Sequence, residues 1–523
     1  MKSVTGTPAA VSPGRWAFFG AVFALVASMM TLWALASPLM AVPDEPAHAV
    51  RAAAVARGQI TAPPSETVPW QLEVQVPRYI ADTSAMPCFA FDPAASAGCQ
   101  VPLAGDPDEI VAAATSAGIN SPVYYALVGW PTLFLSGDAA LYAMRIVSAV
   151  LTAALFAVAA TSLVQLGAAR WKVVAAAASL TPMLLFLGGS INPNAIEVTA
   201  AAALFTTLTL VLRQQTRPAV LWERAGLVVL SAWLLVNTRS IALLWTAIII
   251  GVAFLLSDRA TLRSLVSKVP SWIALALSAA GCVAALIWFT RPVPVVPEGE
   301  LPPAPGLGGG FLSGVQYMAD RTLDFAKAWI GLFGWVDQPA PELAVLVWTL
   351  VLGGLIGAAV LFARGSGRWA TIVLLVSAVV VPPLSQGILL ADYGFIWQGR
   401  YMMAIYSCLV LCAGIALDEM TPIVGTAARR RLISVAVWAM AIGHTVTFAW
   451  VLRRYVVGSG TWSEMLREPE WQPPGTWLGL TAAFAVVVIA AAALTLRARG
   501  LRIAEAPMHE TTPSGVVAGS APS

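Results

Sequence analysis

Charged residues are scarce in this 523-residue sequence, where Asp, Glu, Lys and Arg together account for only 11% of positions. Hydrophobic residues account for 58%, and the mean hydropathy is +0.77. A water-soluble domain cannot bury that much apolar surface. The composition therefore excludes an ordinary soluble protein and predicts a polytopic membrane protein.

Histidine and cysteine are also rare, with three His and five Cys and no Cys/His cluster at metal-ligand spacing. The sequence has no Walker A motif, no Gly-x-Gly-x-x-Gly between a strand and a helix, and no nucleic-acid-binding motif. We therefore expect no cofactor, no nucleic-acid partner and no nucleotide-driven transport by this chain alone. A divalent metal stays open but is not indicated.

Long apolar runs dominate what is present, and they predict an all-α, polytopic transmembrane bundle of about 11–13 membrane segments. Two stretches are ambiguous: 121–136 is short for a crossing, and 225–256 is too long for one crossing and short for two. The clear runs lie at roughly 16–42, 139–167, 173–190, 195–212, 271–289, 341–363, 369–391, 401–417, 432–452 and 476–496.

The distribution of Lys and Arg predicts the orientation in the plasma membrane. The short connectors are basic and expected in the cytoplasm, whereas the first long loop has nine Asp/Glu against three Arg and is expected outside. The predicted order is a cytoplasmic N-terminus (1–15), a first membrane helix (16–42), a large extracytoplasmic loop with a juxtamembrane helix (43–120), membrane helices (121–290), a second extracytoplasmic loop (291–340), membrane helices (341–497) and a disordered cytoplasmic tail (498–523).

One conflict remains in this topology. If loop 43–120 is outside and Arg170 and Lys172 are inside, residues 121–167 must cross the membrane an odd number of times. Either 121–136 is re-entrant or juxtamembrane, or the two basic residues break the rule. In the second long loop, 291–310 is rich in Pro and Gly and is expected to be extended, whereas 316–335 has the pattern of an interfacial helix.

Two cysteines of the first long loop enclose the stretch CFAFDPAASAGC. The expected outer location of this loop permits a disulfide between Cys88 and Cys99. Two free thiols are the alternative. The other three cysteines lie in or beside apolar runs, where they are expected to be plain core residues.

The first long loop opens with AVPDEPAHAVR, which sets Asp44, Glu45, His48 and Arg51 against the end of a membrane helix. Asp is a favoured N-cap and a proline is tolerated in the first turn, so a short helix over about 45–57 is predicted. Its spacing places His48 and Arg51 near one face, one turn after Asp44. Two interpretations stay open: a capped juxtamembrane helix with solvated charges, or a functional site.

Other polar residues fall at connectors on the same inferred side. Arg239 interrupts the apolar stretch 225–256, and an intramembrane arginine usually faces a cavity or an anion. Each of the others also has a structural interpretation, as a turn residue or an interfacial anchor. The remaining candidates for substrate binding are Tyr124, Tyr125, Asn192, Asn194, Glu197, Asp392, Gln398, Arg400 and Tyr401.

Four stretches of the sequence resemble the domain-of-unknown-function 2142 family of bacterial, often actinobacterial, membrane proteins. They are PDEPAH, CFAFDPAASAGC, SINPNAIE and QGRYMMAIY. More broadly, the chain resembles the GT-C glycosyltransferase superfamily. The resemblance covers roughly 15–455 and implies a GT-C-like bundle, a polyprenyl-phosphate-linked sugar as donor, and a glycan or lipoglycan acceptor of the cell envelope. It also implies that an acidic residue of the first outer loop is the base. By position that residue is Asp44, with Glu45 second.

The chemistry agrees with this implication. Glycosyl transfer needs a base near the acceptor hydroxyl and cations near the departing phosphate. Arg239 or Arg400 suits the phosphate, because the donors of a guanidinium match phosphate oxygens. Two alternatives stay open: a transporter or flippase of envelope precursors that uses the helix break at Arg239, and a non-catalytic envelope assembly protein.

Overall fold

The computed structural model describes residues 14–66, 68, 71–103, 106, 108–292, 304–420 and 425–499. The predictions for the extreme N-terminus, for most of the Pro-rich connector and for the C-terminal tail lie outside the described residues.

Helices account for most of the described chain. In chain order they are α1 (Arg15–Ala36), α2 (Glu45–Ala56), α3 (Arg78–Ala81), α4 (Pro122–Gly129), α5 (Gly137–Gln165), α6 (Trp171–Ser179), α7 (Pro182–Gly188), α8 (Pro193–Arg213), α9 (Pro218–Val236), α10 (Ala242–Leu255), α11 (Arg259–Val266), α12 (Val269–Thr290), α13 (Phe311–Asp320), α14 (Thr322–Ile330), α15 (Glu342–Phe362), α16 (Gly365–Tyr393), α17 (Met403–Glu419), α18 (Thr426–Val457), α19 (Trp462–Arg467) and α20 (Trp477–Ala498).

Ten of the described helices are long and apolar enough to cross a membrane. They are α1, α5, α8, α9, α12, α15, α16, α17 with the turn that precedes it, α18 and α20. Two bent pairs, α6 with α7 and α10 with α11, raise the number to twelve if each pair counts as one span. The prediction of a polytopic helical membrane protein is confirmed.

The run predicted as one segment at 173–190 is broken. Helices α6 and α7 meet at an angle of 54°, because Leu180 leaves the helical conformation and Pro182 starts a new helix. The Thr181 hydroxyl caps that new helix by accepting the N–H of Leu184 at 3.3 Å. A uniform hydropathy profile does not reveal such a break.

Both ambiguous stretches have a definite structure. Residues 121–136 form the short helix α4 and a 3-10 turn at Trp130–Leu133, too short to span a bilayer, so α5 is the one candidate membrane span between 121 and 167. One span is consistent with the odd number that the charge distribution predicts. The stretch 225–256 is divided into α9 and α10 by a break at 237–241.

Helices α8 and α17 are central to the bundle, because 89% and 83% of the residues in their most apolar 18-residue stretches are buried. In α12 only 11% of the residues in the corresponding stretch are buried. The connectors 37–136, 304–341 and 394–402 contact one another at one end of the bundle, called here the loop end. There, the Trp335 indole N–H donates to the Met40 carbonyl at 3.1 Å. The Arg454 guanidinium joins Asp337, at 2.9 Å, to the Phe89 carbonyl, at 2.7 Å.

The loop end also contains two small antiparallel sheets, which the all-α prediction did not include. Strands β1 (Leu72–Pro77) and β2 (Ile110–Thr115) pair along their whole length, and β3 (Leu332–Phe333) pairs with β4 (Gln338–Pro339). The interfacial helix predicted over 316–335 is two helices, α13 and α14, followed by β3.

The predicted disulfide is present, with 6.1 Å between the Cα atoms of Cys88 and Cys99. The loop that it closes packs against the end of α18. The Ser459 N–H donates to the Ala94 carbonyl at 3.2 Å, and the Ser96 hydroxyl donates to the Glu470 carboxylate at 2.5 Å. The bond therefore holds the first long loop on the C-terminal part of the bundle.

Candidate functional site

Asp44 precedes the first residue of α2 but does not cap this helix through its side chain within the described structure. Its backbone has φ +65°, a left-handed conformation that costs a non-glycine residue about 1–2 kcal/mol. The carboxylate points instead to Arg400, whose Nη2 donates to Oδ2 at 2.5 Å. Asp44 is therefore the N-cap residue of the predicted helix, but its side chain pairs with a guanidinium and makes no capping hydrogen bond.

The two partners of this pair differ in exposure. The Asp44 side chain is 49% exposed, whereas that of Arg400 is 3% exposed. A buried cation thus fixes one oxygen of a carboxylate that solvent can reach. Strained backbone conformations of this kind cluster at functional sites.

The position of Arg400 depends on a glutamine inside helix α16. The Gln386 side-chain oxygen accepts the N–H of Trp397 at 3.1 Å and so fixes the connector that leads to Arg400. Gly399 lies against α14, where an added Cβ would be only 2.8 Å from the Phe325 carbonyl oxygen. The Gly-Arg-Tyr stretch therefore needs its glycine for close packing.

Arg239 reaches the same site from the break between α9 and α10. Its guanidinium lies 4.0 Å from the centroid of the Tyr401 ring, and that of Arg400 lies 5.7 Å from the same ring. Arg239 is within electrostatic range of Asp44 and Glu197. It forms no ion pair with any residue that the structure describes, so its charge is available to an anion.

The SINPNAIE turn approaches Asp44 from the start of α8. The Asn192 side chain accepts the N–H of Asn194 at 2.9 Å and donates to the Pro43 carbonyl at 3.3 Å. It therefore has the structural role of a helix cap that also ties α8 to the residue before Asp44. Asn194 and Glu197, in the first two turns of α8, are buried at 1% and 2% exposure.

Several buried polar atoms around Asp44 have no hydrogen-bond partner in the described part of the chain. Leaving such an atom unpaired costs about 1–3 kcal/mol, more when the group is charged. Two of them belong to Arg400, the ion-pair partner of Asp44, so this side chain retains donors for a polar ligand. The atoms are Nε and Nη1 of Arg400, Nε1 of Trp397, Oε1 of Gln398, Oδ1 of Asn194 and Oε1 of Glu197.

His48 faces the site from α2 as a neutral group. Burial lowers its pKa to about 3; the nearby Arg400 and Arg239 act in the same direction, and the charge of Asp44 opposes them. Its Nδ1 lies 2.9 Å from the Tyr125 hydroxyl oxygen, which also accepts the side-chain N–H of Asn120 at 2.9 Å. The neutral imidazole therefore belongs to a buried hydrogen-bond network.

Glu45, the second candidate base, is in a different environment from Asp44. Its fully buried carboxylate accepts Nε and Nη2 of Arg145 at 2.7 and 2.6 Å. It also accepts the backbone N–H of Ile191 at 3.0 Å. These bonds argue against Glu45 as a base. Its carboxylate instead connects α5 and the start of the SINPNAIE turn to the residue next to Asp44.

Arg145 was not among the residues expected at the site. Its remaining donors bind the carbonyls of Ala34, Ser37 and Pro38 at 2.8–2.9 Å, so that all five N–H groups of its guanidinium are bonded. One side chain of α5 thus joins the end of α1 to Glu45. An arginine within a 29-residue apolar helix was the available signal, since an intramembrane cation requires a partner.

Three other candidates lie outside the immediate surroundings of Asp44. Arg51 donates to the carbonyls of Gln59 and Ile60, at 3.1 and 2.8 Å, and closes the end of α2. The Tyr124 hydroxyl lies 3.0 Å from that of Ser148 in α5. Asp392 is exposed at the end of α16. The first two contacts are structural, and Asp392 has no ion-pair partner within the described ranges.

The part of the chain that the structure describes contains no group of three or more His, Cys, Asp or Glu arranged to hold a metal ion. The candidate site consists of one accessible carboxylate, two guanidinium groups and unpaired amide and indole groups at the loop end of a polytopic helical bundle.

Residues 28–411 match the DUF2142 family, described as a predicted membrane protein. Because this match covers most of the chain, the protein belongs to that family, and the family prediction is confirmed. None of the curated proteins matches the sequence significantly.

A crystal structure of ArnT from Cupriavidus metallidurans bound to undecaprenyl phosphate is similar to this chain. The TM-score is 0.44 and the identity 13%, over 92% of this chain and 77% of that one. ArnT is a GT-C glycosyltransferase. Similarity at this level assigns neither a ligand nor an activity to this chain.

Proposed function

We propose that this protein is an integral membrane glycosyltransferase that moves a sugar from a polyprenyl-phosphate donor to a cell-envelope acceptor on the extracytoplasmic face. The observation that supports this most directly is the half-exposed Asp44 carboxylate, bound through one oxygen to the buried Arg400 and adjacent to Arg239, which forms no ion pair in the described structure. This arrangement combines an accessible base with two cations for an anionic leaving group.

Asp44 acts as the general base in this proposal. Its Oδ2 accepts from Arg400, while Oδ1 has no hydrogen-bond partner among the described residues. An acceptor hydroxyl that approaches from the exposed side can therefore donate to Oδ1 without breaking the existing ion pair. The ion pair fixes the carboxylate in one orientation, which favours proton transfer from a bound acceptor hydroxyl to Oδ1.

Arg239 and Arg400 bind the phosphate of the donor and stabilise the charge that develops on it as the sugar leaves. Arginine suits this role because its planar guanidinium presents several donors to phosphate oxygens. The unpaired Nε and Nη1 of Arg400 are available for these bonds. Asn194, Glu197 and Gln398 present unpaired oxygens that suit the hydroxyl groups of a sugar.

The reaction balances without a cofactor. The acceptor oxygen forms a bond to the anomeric carbon of the sugar, and the bond from that carbon to the phosphate oxygen breaks with its electron pair. The acceptor proton goes to Asp44, and polyprenyl phosphate is released. A lipid-borne donor reaches this site from the bilayer because Asp44 lies in the short connector between α1, which ends at Ala36, and α2.

The test measures the release of polyprenyl phosphate by the purified full chain after reconstitution into membranes. These membranes are supplied with polyprenyl-phosphate hexoses or pentoses and with envelope glycan acceptors. We expect donor consumption with at least one sugar. The Arg239→Gln/Arg400→Gln protein should lose it, whereas Arg217→Gln, at the opposite end of the bundle, should retain it. If no donor is consumed by the unmodified protein, the transferase proposal fails and a transporter of envelope precursors becomes the better hypothesis.

A further inference from the structure

A second candidate site extends along the outside of the bundle and reaches the end opposite to Asp44. Helices α15, α17 and α18, with the start of α6, enclose a cavity of about 490 Å³ whose walls are almost entirely apolar. Its mouth is bordered by Leu350, Phe362, Leu432 and Val435, which are 51–67% exposed on the outside of the bundle. In a membrane these side chains face lipid, so the cavity is a groove that opens toward the bilayer.

The length of this groove matches one lipid tail. Along α15 it extends from Val347 to Phe362, which is about 22 Å at the helical rise of 1.5 Å per residue. The hydrocarbon core of a bilayer is about 30 Å thick, so the groove covers one leaflet and part of the other. Gly354 leaves room in the wall, since an added Cβ there meets nothing within 4 Å in the described structure.

The end of the groove is positively charged. Arg170 and Arg429 lie on its lining, and neither side chain forms an ion pair within the described ranges. The Asp418 carboxylate also lies there, but it accepts the backbone N–H groups of Arg170, Trp171 and Lys172 at 2.8, 2.9 and 3.2 Å. Those bonds hold the carboxylate on the start of α6, and it forms no ion pair with either guanidinium group in the described structure, so both stay available for an anion.

We propose that this groove binds one anionic glycerophospholipid, with an acyl chain between α15 and α18 and the headgroup phosphate between Arg170 and Arg429. The apolar wall, the opening toward the bilayer and the cationic end together match this class of molecule. The headgroup end of this site is at the other end of the bundle from the proposed transferase site, and the proposal does not depend on that one.

The experiment is native mass spectrometry of the purified full chain in detergent, titrated with palmitoyl-oleoyl phosphatidylglycerol or with the matching phosphatidylcholine. We expect one phosphatidylglycerol adduct that is retained at low lipid concentration. Since each basic residue near a headgroup contributes roughly a fivefold gain in affinity, Arg170→Gln/Arg429→Gln should weaken it by roughly 10- to 30-fold. Arg430→Gln/Arg431→Gln changes the charge equally beside the groove and should retain the adduct.

A second pair of variants tests the groove itself. Gly354→Leu fills the apolar wall and should remove the adduct, whereas Gly353→Leu, which also has open space around its added side chain but does not line the cavity, should retain it. Equal binding of the two lipids by the unmodified protein would overturn the proposal. Unchanged phosphatidylglycerol binding in the Arg170→Gln/Arg429→Gln protein, or equal loss in both leucine variants, would overturn it as well.

Discussion

The buried ion pair between Glu45 and Arg145 gives a prediction that can be worked out from the structure. Arg145→Met removes the partner of the fully buried Glu45 carboxylate and also frees three backbone carbonyls at the end of α1. Breaking one side of a buried ion pair commonly costs about 3–5 kcal/mol, because the remaining charge stays desolvated. We expect Glu45→Gln, which leaves the Arg145 charge without a carboxylate, to cost about as much.

The double variant distinguishes this explanation from simple loss of packing. If the cost arises from an unpaired buried charge, Glu45→Gln/Arg145→Met should be less destabilised than the sum of the single variants, with a coupling energy of about 2 kcal/mol or more. The assay is thermal unfolding of the purified proteins in one detergent. Additive single effects, within about 0.5 kcal/mol, would refute the reasoning.

The exposed pair between Arg213 and Glu419 provides a matched control. Their side chains are 27% and 37% exposed, at the end of the bundle opposite to Asp44. Exposed pairs contribute at most about 1 kcal/mol. Arg213→Met should therefore change the melting temperature much less than Arg145→Met. Equal effects would show that burial does not determine the cost.

Three further outcomes are expected. Replacing Cys88 and Cys99 by Ser should cost about 3 kcal/mol of stability, measured by thermal unfolding, because the bond restricts the unfolded chain; unchanged melting would contradict this. Burial lowers the pKa of His48 to about 3, from an unfolded value of 6.5, so the free energy of unfolding should fall by about 2 kcal/mol as pH decreases from 7 to 5. His48→Gln should reduce this pH dependence. An equal pH dependence in both proteins would be inconsistent with a neutral buried imidazole. Arg239→Lys and Arg400→Lys should weaken donor use more than they lower the melting temperature, since lysine keeps the charge but not the planar donors; a parallel loss of both would indicate a structural role.

The sequence predicts most of the membrane helices because apolar runs of about 20 residues have few other structures available to them. It does not determine where a run breaks. Stretch 121–136 is apolar but too short to span, and 173–190 is interrupted at Leu180 and Thr181. Hydropathy measures the preference for lipid, whereas breaks depend on local backbone chemistry and on packing against neighbouring helices.

The candidate site was predictable in its residue types but not in its pairing. The stretch PDEPAH contains Asp44 and Glu45 side by side, and nothing in their spacing tells that one is half-exposed and the other fully buried. The difference is set by Arg400 and Arg145, which are 356 and 100 residues away in the chain. Long-range pairing of this kind is a property of the folded bundle, since side chains on distant helices meet only there.

The measurement that tests the central claim most directly is the initial rate of sugar transfer by Asp44→Asn, compared with the unmodified protein at matched expression. The substitution keeps the size of the side chain and removes the basic carboxylate, so folding should survive and the rate should fall by about 10²–10⁴-fold. Asp108→Asn, in the same long loop but exposed, should keep the unmodified rate. A well-folded Asp44→Asn protein that transfers sugar at the unmodified rate would contradict the assignment of Asp44 as the base.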